Sequence, residues 1–281
     1  MKQDNPINRL VDQARNGNQK ALESIVSHMQ DDIYQMSLKM LWHPADAEDA
    51  SQEILIKMIT HLDSFRGESS FRTWVFRIAA NHLMTAKKML SEKNNINIDA
   101  YYEKLHEELD MSGLQKNLTS EELLLIDEVR LSCLHGLLIF LDRDLRIAFI
   151  LGELFQVTSE EGSLILDISE DAYRKRLSRA RKKMGKFMAN TCGLIHPENP
   201  CRCENMIEMA IESKWVDPEH IVFAGHPCKE KKCFEQTENL HELDELERIA
   251  LLYRNQPDFT APFSFTDSIR QLLESGRYQL L

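Results

Sequence analysis

The sequence predicts an all-α protein with two helical domains, an acidic linker between them and a small, mostly helical C-terminal extension. Along most of the chain apolar residues recur at three- and four-residue steps, which is the period of an amphipathic helix. The alternating pattern typical of strands is almost absent. A length of 281 residues leaves room for two domains and a small third one. The low glycine and proline content indicates a folded chain.

The hydropathy pattern also gives an expectation for where in the cell the protein is found. The longest apolar run, Leu134 to Leu141, is interrupted by His135 and Gly136. It is much shorter than the roughly 18 residues that suggest a membrane span. The N-terminal residues MKQDNPINRL lack the apolar core of a signal peptide. We therefore expect a cytoplasmic protein with no membrane insertion.

The charge is unevenly distributed along the chain. The formal net charge is −11, which argues against indiscriminate nucleic-acid binding by the whole protein. Ser169 to Met188 nevertheless holds eight Lys or Arg residues against two acids, a local charge of +6 that leaves −17 elsewhere. A strongly basic segment in an acidic protein predicts local contact with DNA and acidic surfaces for other partners.

The first domain is predicted to span residues 1–90. Residues 1 to about 18 look like a lead-in that ends in the turn signal Asn16-Gly17-Asn18. A helix follows, with apolar positions from Ala21 to Leu41, and it ends before Pro44.

Two further amphipathic helices lie between Asp46 and Lys88. Asp46 can cap the first of them, and Gly67 marks the turn, after which Ser69 or Ser70 caps the second. The second helix places cations beside aromatic residues, which is typical of a platform for single-stranded nucleic acid. The same pattern is also typical of an ordinary helical hairpin whose aromatic residues are core.

The second domain is predicted at residues 121–189, after a loosely patterned acidic linker at residues 91–120. Within it, Thr158 and Glu161 have the spacing of a capping box at the start of a short helix. A tight turn and a long basic helix, capped by Ser169, come next. Short helix, tight turn and basic helix together indicate a helix-turn-helix.

The basic helix supplies the predicted contacts to duplex DNA. Its first turns would enter the major groove, so Arg174, Lys175 and Ser178 are the candidates for base edges. The cations that follow are candidates for phosphate contacts: Arg179, Arg181, Lys182 and Lys183. The alternative is a solvated basic helix that binds no DNA.

Two long stretches carry a family resemblance. The run DAEDASQEILIKM…FRGESSFRTWVFRIAANHL resembles region 2 of bacterial sigma-70-type factors of the extracytoplasmic-function (ECF) group. ISEDAYRKRLSRARKKM resembles the end of region 4. The resemblance covers roughly residues 18–90 and 121–188. It implies a non-enzymatic subunit that binds core RNA polymerase and directs it to promoter DNA, for a stress or metal/redox regulon.

The resemblance also assigns roles to residues. It implies that region 2 recognises and melts the minus-ten element, and the candidates are Phe65, Arg66, Gly67, Ser69, Ser70, Arg72, Trp74, Arg77, Asn81 and Lys88. It implies polymerase contacts at Asp46, Asp49, Gln52, Glu53 and Lys57. Region 4 would read the minus-thirty-five element through the basic helix.

Two residues depart from the family pattern. Gly162 stands where an apolar core residue is usual, and Asp167 stands in the tight turn where Gly is common. Asp tolerates the left-handed conformation at modest cost, so we expect the turn to form.

The extension, residues 190–281, contains most of the cysteines. In a cytosolic protein, clustered Cys and His favour metal or redox chemistry over structural disulfides. The candidate metal ligands are Cys192, His196, Cys201, Cys203, Cys228 and Cys233. Zinc or copper would suit these ligands, although no cofactor is required for the sigma role; a redox switch and incidental thiols remain open. Cys133 is expected to be a small core residue.

The extension is expected to pack on the preceding domains or to bind a protein, in place of a separate anti-sigma factor. Two competing functions remain. A stand-alone helix-turn-helix regulator would explain the basic helix without polymerase. A thiol oxidoreductase built on Cys201-x-Cys203 would explain the cysteines, but no established redox spacing supports it.

Overall fold

The structure, a computed structural model, describes residues 6–86, 119–228 and 244–262 together with positions 265, 267, 270 and 271. The described helices are α1 (Pro6–Arg15), α2 (Gln19–Leu41), α3 (Pro44–Thr60), α4 (Phe71–Thr85), α5 (Ser120–Ile139), α6 (Arg143–Phe149), α7 (Ser159–Leu166), α8 (Glu170–Thr191), α9 (Ile207–Glu212) and α10 (Glu245–Arg254). Short 3₁₀ segments occupy Leu62–Ser64 and Cys203–Met206, and a π-helical turn, Ile150–Leu154, continues α6.

The all-α prediction is confirmed. No β-strand occurs in these ranges, where the β-type pairing is an isolated bridge between Cys192 and Cys201. None of the described helices combines the length and apolar character needed to span a bilayer. The predicted linker, residues 91–120, lies outside the described residues except for its last two positions, with Thr119 as the N-cap of α5.

The chain forms two compact units that do not follow sequence order. The first combines the described parts of Met1–Lys87, Thr158–Tyr173 and Phe259–Leu281, and the second combines those of Lys88–Val157 and Arg174–Asp258. The boundary therefore falls within α8.

In the first unit, α2 packs against α1, α3 and α4. The buried faces supply the core, which includes Ile25, Met29, Tyr34, Phe71 and Phe76, all at most 2% exposed. Burial of such apolar faces is the main source of helix stability in a bundle. The predicted lead-in, residues 1 to about 18, contains a helix at Pro6–Arg15 that buries Val11 and Ala14.

Residues from the end of the chain complete this unit. Phe259 and Phe265 are fully buried, and the Phe265 ring meets Tyr34 edge to face at 6.2 Å. The backbone N–H of Ala261 donates to Asp31 Oδ1 at 2.9 Å, which satisfies a buried carboxylate. The expectation that the extension packs on the preceding domains is confirmed at these positions.

In the second unit, buried polar side chains tie irregular segments to helices. Glu128 on α5 accepts hydrogen bonds from three successive backbone N–H groups, of Val222, Phe223 and Ala224, at 2.6 to 3.0 Å. Arg146 donates to three carbonyls at the C-terminal end of α5, including Leu138 and Leu141. The C-terminal carbonyls of a helix lack intrahelical donors, and this guanidinium supplies them.

Candidate nucleic-acid interface

Local and long-range hydrogen bonds fix the conformation of the loop before α4. Gly67 adopts φ +70°, a left-handed conformation that favours glycine, and Ser70 caps α4 by accepting from the N–H of Thr73 at 3.0 Å. From α1, Arg15 donates to the carbonyls of Leu62 and Phe65. Sequence reasoning missed Arg15 because nothing local marks a cation whose partners lie about fifty residues away.

Three aromatic rings form a cluster where this loop meets α4. The centroids of Phe65, Phe71 and Trp74 lie 5.3 to 5.6 Å apart, within the range of favourable ring pairs. Phe65 and Phe71 are buried, whereas Trp74 is half-buried. Of the three rings, the Trp74 indole is therefore the one that solvent, or a base, can reach.

The predicted minus-ten residues do not all have the same exposure. Arg66, Gly67, Ser70, Arg72, Arg77 and Asn81 are exposed, Ser69 is half-buried, and Lys88 lies outside the described residues. Two of the exposed cations have acidic partners: Arg72 pairs with Asp32 at 2.9 Å and Arg77 with Asp167 at 3.4 Å. Arg72 also lies over the Phe76 ring, 4.4 Å from its centroid. These contacts orient the two guanidinium groups toward different neighbours, Arg72 toward α2 and Arg77 toward the turn after α7.

The acidic side of α3 bears the predicted polymerase contacts. Asp46, Asp49 and Glu53 are exposed, and Gln52 and Lys57 are half-buried. Lys57 Nζ lies 2.6 Å from His82 Nδ1 on α4, and Glu53 lies 3.8 Å from the other ring nitrogen. Burial and the Lys57 charge lower the pKa of His82 below its usual value. The helix begins two residues before the predicted Asp46 cap, at Pro44.

The predicted helix-turn-helix is present. Thr158 and Glu161 form the capping box: the N–H of Thr158 donates to the Glu161 carboxylate at 2.9 Å, and the N–H of Glu161 donates to Thr158 Oγ1 at 3.1 Å. Asp167 ends α7 in the left-handed conformation, φ 54° and ψ 48°. Ser169 Oγ then accepts from the N–H of Ala172 at 3.2 Å. The turn is thus formed by local hydrogen bonds on both sides of Asp167.

The position of the Tyr173 ring explains why residue 162 is a glycine. A Cβ at position 162 would lie 2.4 Å from the Tyr173 ring, and both residues are buried. The ring occupies the space that an apolar side chain on α7 would otherwise fill.

The basic helix α8 presents most of its predicted DNA contacts to solvent. Arg174, Lys175, Ser178, Arg179 and Lys182 are exposed, and Lys183 is half-buried. Arg181 is different. Its guanidinium lies 2.5 to 2.6 Å from Glu153, a carboxylate that is 1% exposed and also pairs with Arg254 of α10 at 3.0 Å. Arg181 is therefore exposed like its neighbours on the helix, at 43% of its side chain, but it also has a buried partner.

The cysteine candidates divide into two groups. Cys192, Cys201 and Cys203 line one cavity of about 40 Å³, together with Cys133, which the sequence assigned to the core. His196 is not among the residues that line this cavity, and its Nε2 lies 3.1 Å from Glu245 Oε1. Cys228 is half-buried and is not among the cavity-lining residues, and Cys233 lies outside the described residues. As the described side chains stand, no three of His, Cys, Asp and Glu are arranged to hold a metal ion.

Comparison with known proteins matches the parts of the chain that contain α4 and most of α8. A family model for sigma-70 region 2 matches residues 25–90, and one for sigma-70 region 4 matches residues 131–184. The first range contains α4 and the loop before it, and the second contains α7 and most of α8.

The curated relatives that match this chain are sigma factors as well. The ECF RNA polymerase sigma-E factor of Escherichia coli (strain K12) is 34% identical over 178 residues, which cover 62% of this chain and 89% of that protein. The RNA polymerase sigma-H factor of Pseudomonas aeruginosa is 28% identical over 185 residues, covering 64% and 92%. A solved structure of CnrH in complex with the cytosolic domain of CnrY matches with a TM-score of 0.45 and 21% identity, covering 64% of this chain and 95% of that one. This chain therefore belongs to the extracytoplasmic-function group of the sigma-70 family of RNA polymerase sigma factors.

Proposed function

We propose that this sigma factor binds core RNA polymerase through α3 and reads promoters at two places, the minus-ten element with the α4 surface and the minus-thirty-five element with α8. The observation that carries the proposal is the occurrence of two capped helices with exposed cations, each inside one of the two matched sigma regions. The family is not a class of enzymes, and the proposed place of action is the cytoplasm, where core polymerase and promoter DNA are found.

The α4 surface supports single-strand capture. A base leaving the duplex needs a flat apolar surface, and the half-buried Trp74 indole is backed by the rings of Phe65 and Phe71. Stacking of one base on an aromatic side chain is worth about 1–3 kcal/mol, which offsets a similar cost of unstacking. Arg66, Arg72 and other exposed groups nearby would hold the displaced backbone.

The α8 surface supports duplex reading. Arg174, Lys175 and Ser178 lie exposed at the start of the helix, where a helix-turn-helix meets base edges. Arg179 and Lys182 follow and would bind phosphates. Arg181, which pairs with Glu153, is assigned instead to holding α8 in place.

The acidic face of α3 supports a separate protein partner. Asp46, Asp49 and Glu53 are exposed on a helix that the proposed DNA contacts do not use. Carboxylates repel DNA phosphates, so a basic protein surface is the suitable partner for this face.

The test is run-off transcription with core polymerase and a library of genomic promoters. We expect protein-dependent transcripts that share two spaced upstream motifs. Arg179→Ala should weaken use of the minus-thirty-five motif and Arg66→Ala should slow promoter opening, whereas Lys20→Ala, which removes an exposed cation of α2, serves as the matched control.

Absence of polymerase binding would overturn the proposal. If the free protein instead bound duplex DNA tightly and with a steep dependence on salt, the stand-alone regulator would replace it.

A further inference from the structure

Arg15 reaches from α1 to the segment that leads into the α4 surface. Its Nη2 donates to the carbonyl oxygen of Leu62 at 2.8 Å, and its Nε donates to the same oxygen at 3.2 Å. Nη2 also donates to the carbonyl of Phe65. One planar guanidinium, whose N–H groups have a fixed fork geometry, thus joins two carbonyls that stand three residues apart in the chain.

The guanidinium of Arg15 is itself held in place. Asp12, one turn earlier on α1, lies 3.6 Å from its Nη1, and Asp63 lies 3.7 Å from its Nε. The Arg15 side chain is only 26% exposed, and α1 packs directly against the 3₁₀ segment Leu62–Ser64. The cation is therefore directed at partners within the protein, unlike the exposed Arg66 of the neighbouring loop.

The contact fixes one end of a short loop. At this near end, Arg15 holds the Phe65 carbonyl, while the Phe65 ring packs in the aromatic cluster 5.3 and 5.5 Å from its two partners. At the far end, Ser70 caps α4. The four residues Arg66 to Ser69 span the interval, with Gly67 in the left-handed conformation. The orientation of the peptide unit after Phe65 consequently sets the direction in which this loop leaves the bundle.

We propose that Arg15 is a positioning residue for recognition of the minus-ten element. Through the two carbonyls it fixes the loop that captures a displaced base, without touching DNA itself. The inference rests on the proposed function of the α4 surface and extends it to α1, which precedes the residues matched by the region 2 model, 25–90. A loop that is ordered before binding loses less conformational entropy when it binds.

Positioning and general stabilisation have different consequences for base selectivity. A loop in the correct place binds the correct base better than a wrong one, because discrimination depends on geometry. Loss of that geometry should weaken capture of the correct base most. A variant that is merely less stable has a smaller folded fraction, which lowers apparent affinity for every oligonucleotide by the same factor. The ratio of two affinities therefore separates the two roles.

The experiment uses the full chain assembled with core polymerase. The probes are a single-stranded oligonucleotide with the minus-ten motif obtained from run-off transcription and a copy with one base of that motif changed. Arg15→Met removes the donors but keeps an unbranched side chain of similar helix propensity. It should weaken binding of the matched probe by about tenfold, the size of a lost base-stacking contact, and bring the affinity ratio toward one. The same substitution at an exposed arginine of α1, Arg9→Met, should change neither value.

Two further measurements distinguish positioning from direct attraction of DNA. Loss of a phosphate contact lowers the slope of log affinity against log salt by about 0.7 for a single strand, whereas Arg15→Met should leave the slope unchanged. Arg15→Lys keeps the charge but lacks the planar fork, so it should restore little of the selectivity. Should Arg15→Met fail to bind polymerase, Arg15→Lys provides the same test of the affinity ratio.

Three results would overturn the positioning role. They are an unchanged affinity ratio in an Arg15→Met chain that binds core polymerase, a reduced salt slope in that chain, and full recovery of selectivity by Arg15→Lys. Failure of the wild-type assembly to bind the matched probe is a different result. It would overturn the proposed function of the α4 surface, and the inference on Arg15 with it.

Discussion

Gly162 lies in α7 with the ring of Tyr173 where its side chain would be. Because a Cβ there would lie 2.4 Å from the ring, Gly162→Ala forces one element to shift. We expect a loss of about 1–3 kcal/mol in the free energy of unfolding, the usual cost of overpacking a buried site. Urea denaturation measures this loss of unfolding free energy. Gly225→Ala is the matched control, since the nearest atom to its Cβ would lie at 3.5 Å. Equal stability of the two variants would contradict the explanation of Gly162.

Arg181 and Arg179 lie on the same helix but differ in their partners. Arg181→Ala leaves the buried Glu153 with one guanidinium instead of two. We expect a loss of up to about 3 kcal/mol in the free energy of unfolding, the lower end for a broken buried pair, because Arg254 remains. Arg179→Ala should leave stability unchanged and weaken binding to promoter DNA. Thermal unfolding and transcription assays on both variants test this division, and the reverse pattern would refute it.

At the scale of elements, the capping box of α7 is the most direct test of the helix-turn-helix. Thr158→Ala removes the acceptor for the N–H of Glu161 and should cost about 1 kcal/mol in the free energy of unfolding. Thr158→Ser keeps the hydroxyl and should stay near the wild type. Denaturation in urea, followed by circular dichroism, distinguishes the two. A Ser variant as unstable as the Ala variant would show that the methyl group, not the cap, is responsible.

The contact between α3 and α4 should respond to pH. The pKa of His82 is lowered by burial and by Lys57, with Glu53 opposing, so the folded state binds the proton more weakly than the unfolded state does. Its contribution to stability is therefore complete above the unfolded pKa near 6.5 and is lost as pH falls through the folded pKa.

Thermal unfolding at several pH values, from about 8 to about 5, measures this effect around the unfolded value of His. His82→Gln should flatten the acid limb of the profile. His28→Gln, at an exposed position of α2, should leave the profile unchanged. An acid limb that persists in His82→Gln would assign it to other groups.

What sequence predicts here depends on how local the interaction is. The end of α2, the capping box at Thr158 and the left-handed Asp167 all depend on residues within a few positions, and all three are confirmed. The partners of Arg181 and Arg15 lie 28 and about 50 residues away, so composition and spacing could not reveal them. The partners of these two arginines become apparent only in the folded structure.

The cysteines illustrate the same limit. Cys192, Cys201 and Cys203, which the sequence places close together along the chain, line one cavity. The sequence also suggested His196 as a ligand, and its Nε2 lies 3.1 Å from Glu245 Oε1. Cys133, which the sequence assigned to the core, lines the same cavity as the three later cysteines. A helix face that looks apolar in sequence can present a thiol to a distant segment, and only the fold brings the two together.

At the scale of the whole molecule, the end of the chain is part of the first unit. Its contacts there join α2 to residues more than two hundred positions away: Asp31 accepts from the N–H of Ala261, and Glu23 pairs with Arg270 at 2.9 Å. The bundle matched by sigma region 2 is therefore completed by residues outside both matched ranges. Residues of the extension therefore belong to the structure of the region 2 bundle itself.

Removal of Phe259 and all following residues should therefore destabilise the region 2 bundle. It exposes Tyr34, removes the Ala261 N–H that donates to the buried Asp31 carboxylate, and removes two fully buried Phe side chains. Burial of two such side chains is worth roughly 3–6 kcal/mol, and the truncated chain should lose a comparable part of its free energy of unfolding. Arg270→Ala, which removes a partly buried ion pair with Glu23 and no buried ring, should cost at most about 1 kcal/mol. Urea denaturation of both chains measures the difference. If truncation cost no more than Arg270→Ala, residues from 259 onward would be a dispensable tail, and promoter output rather than stability would be the place to look for their effect.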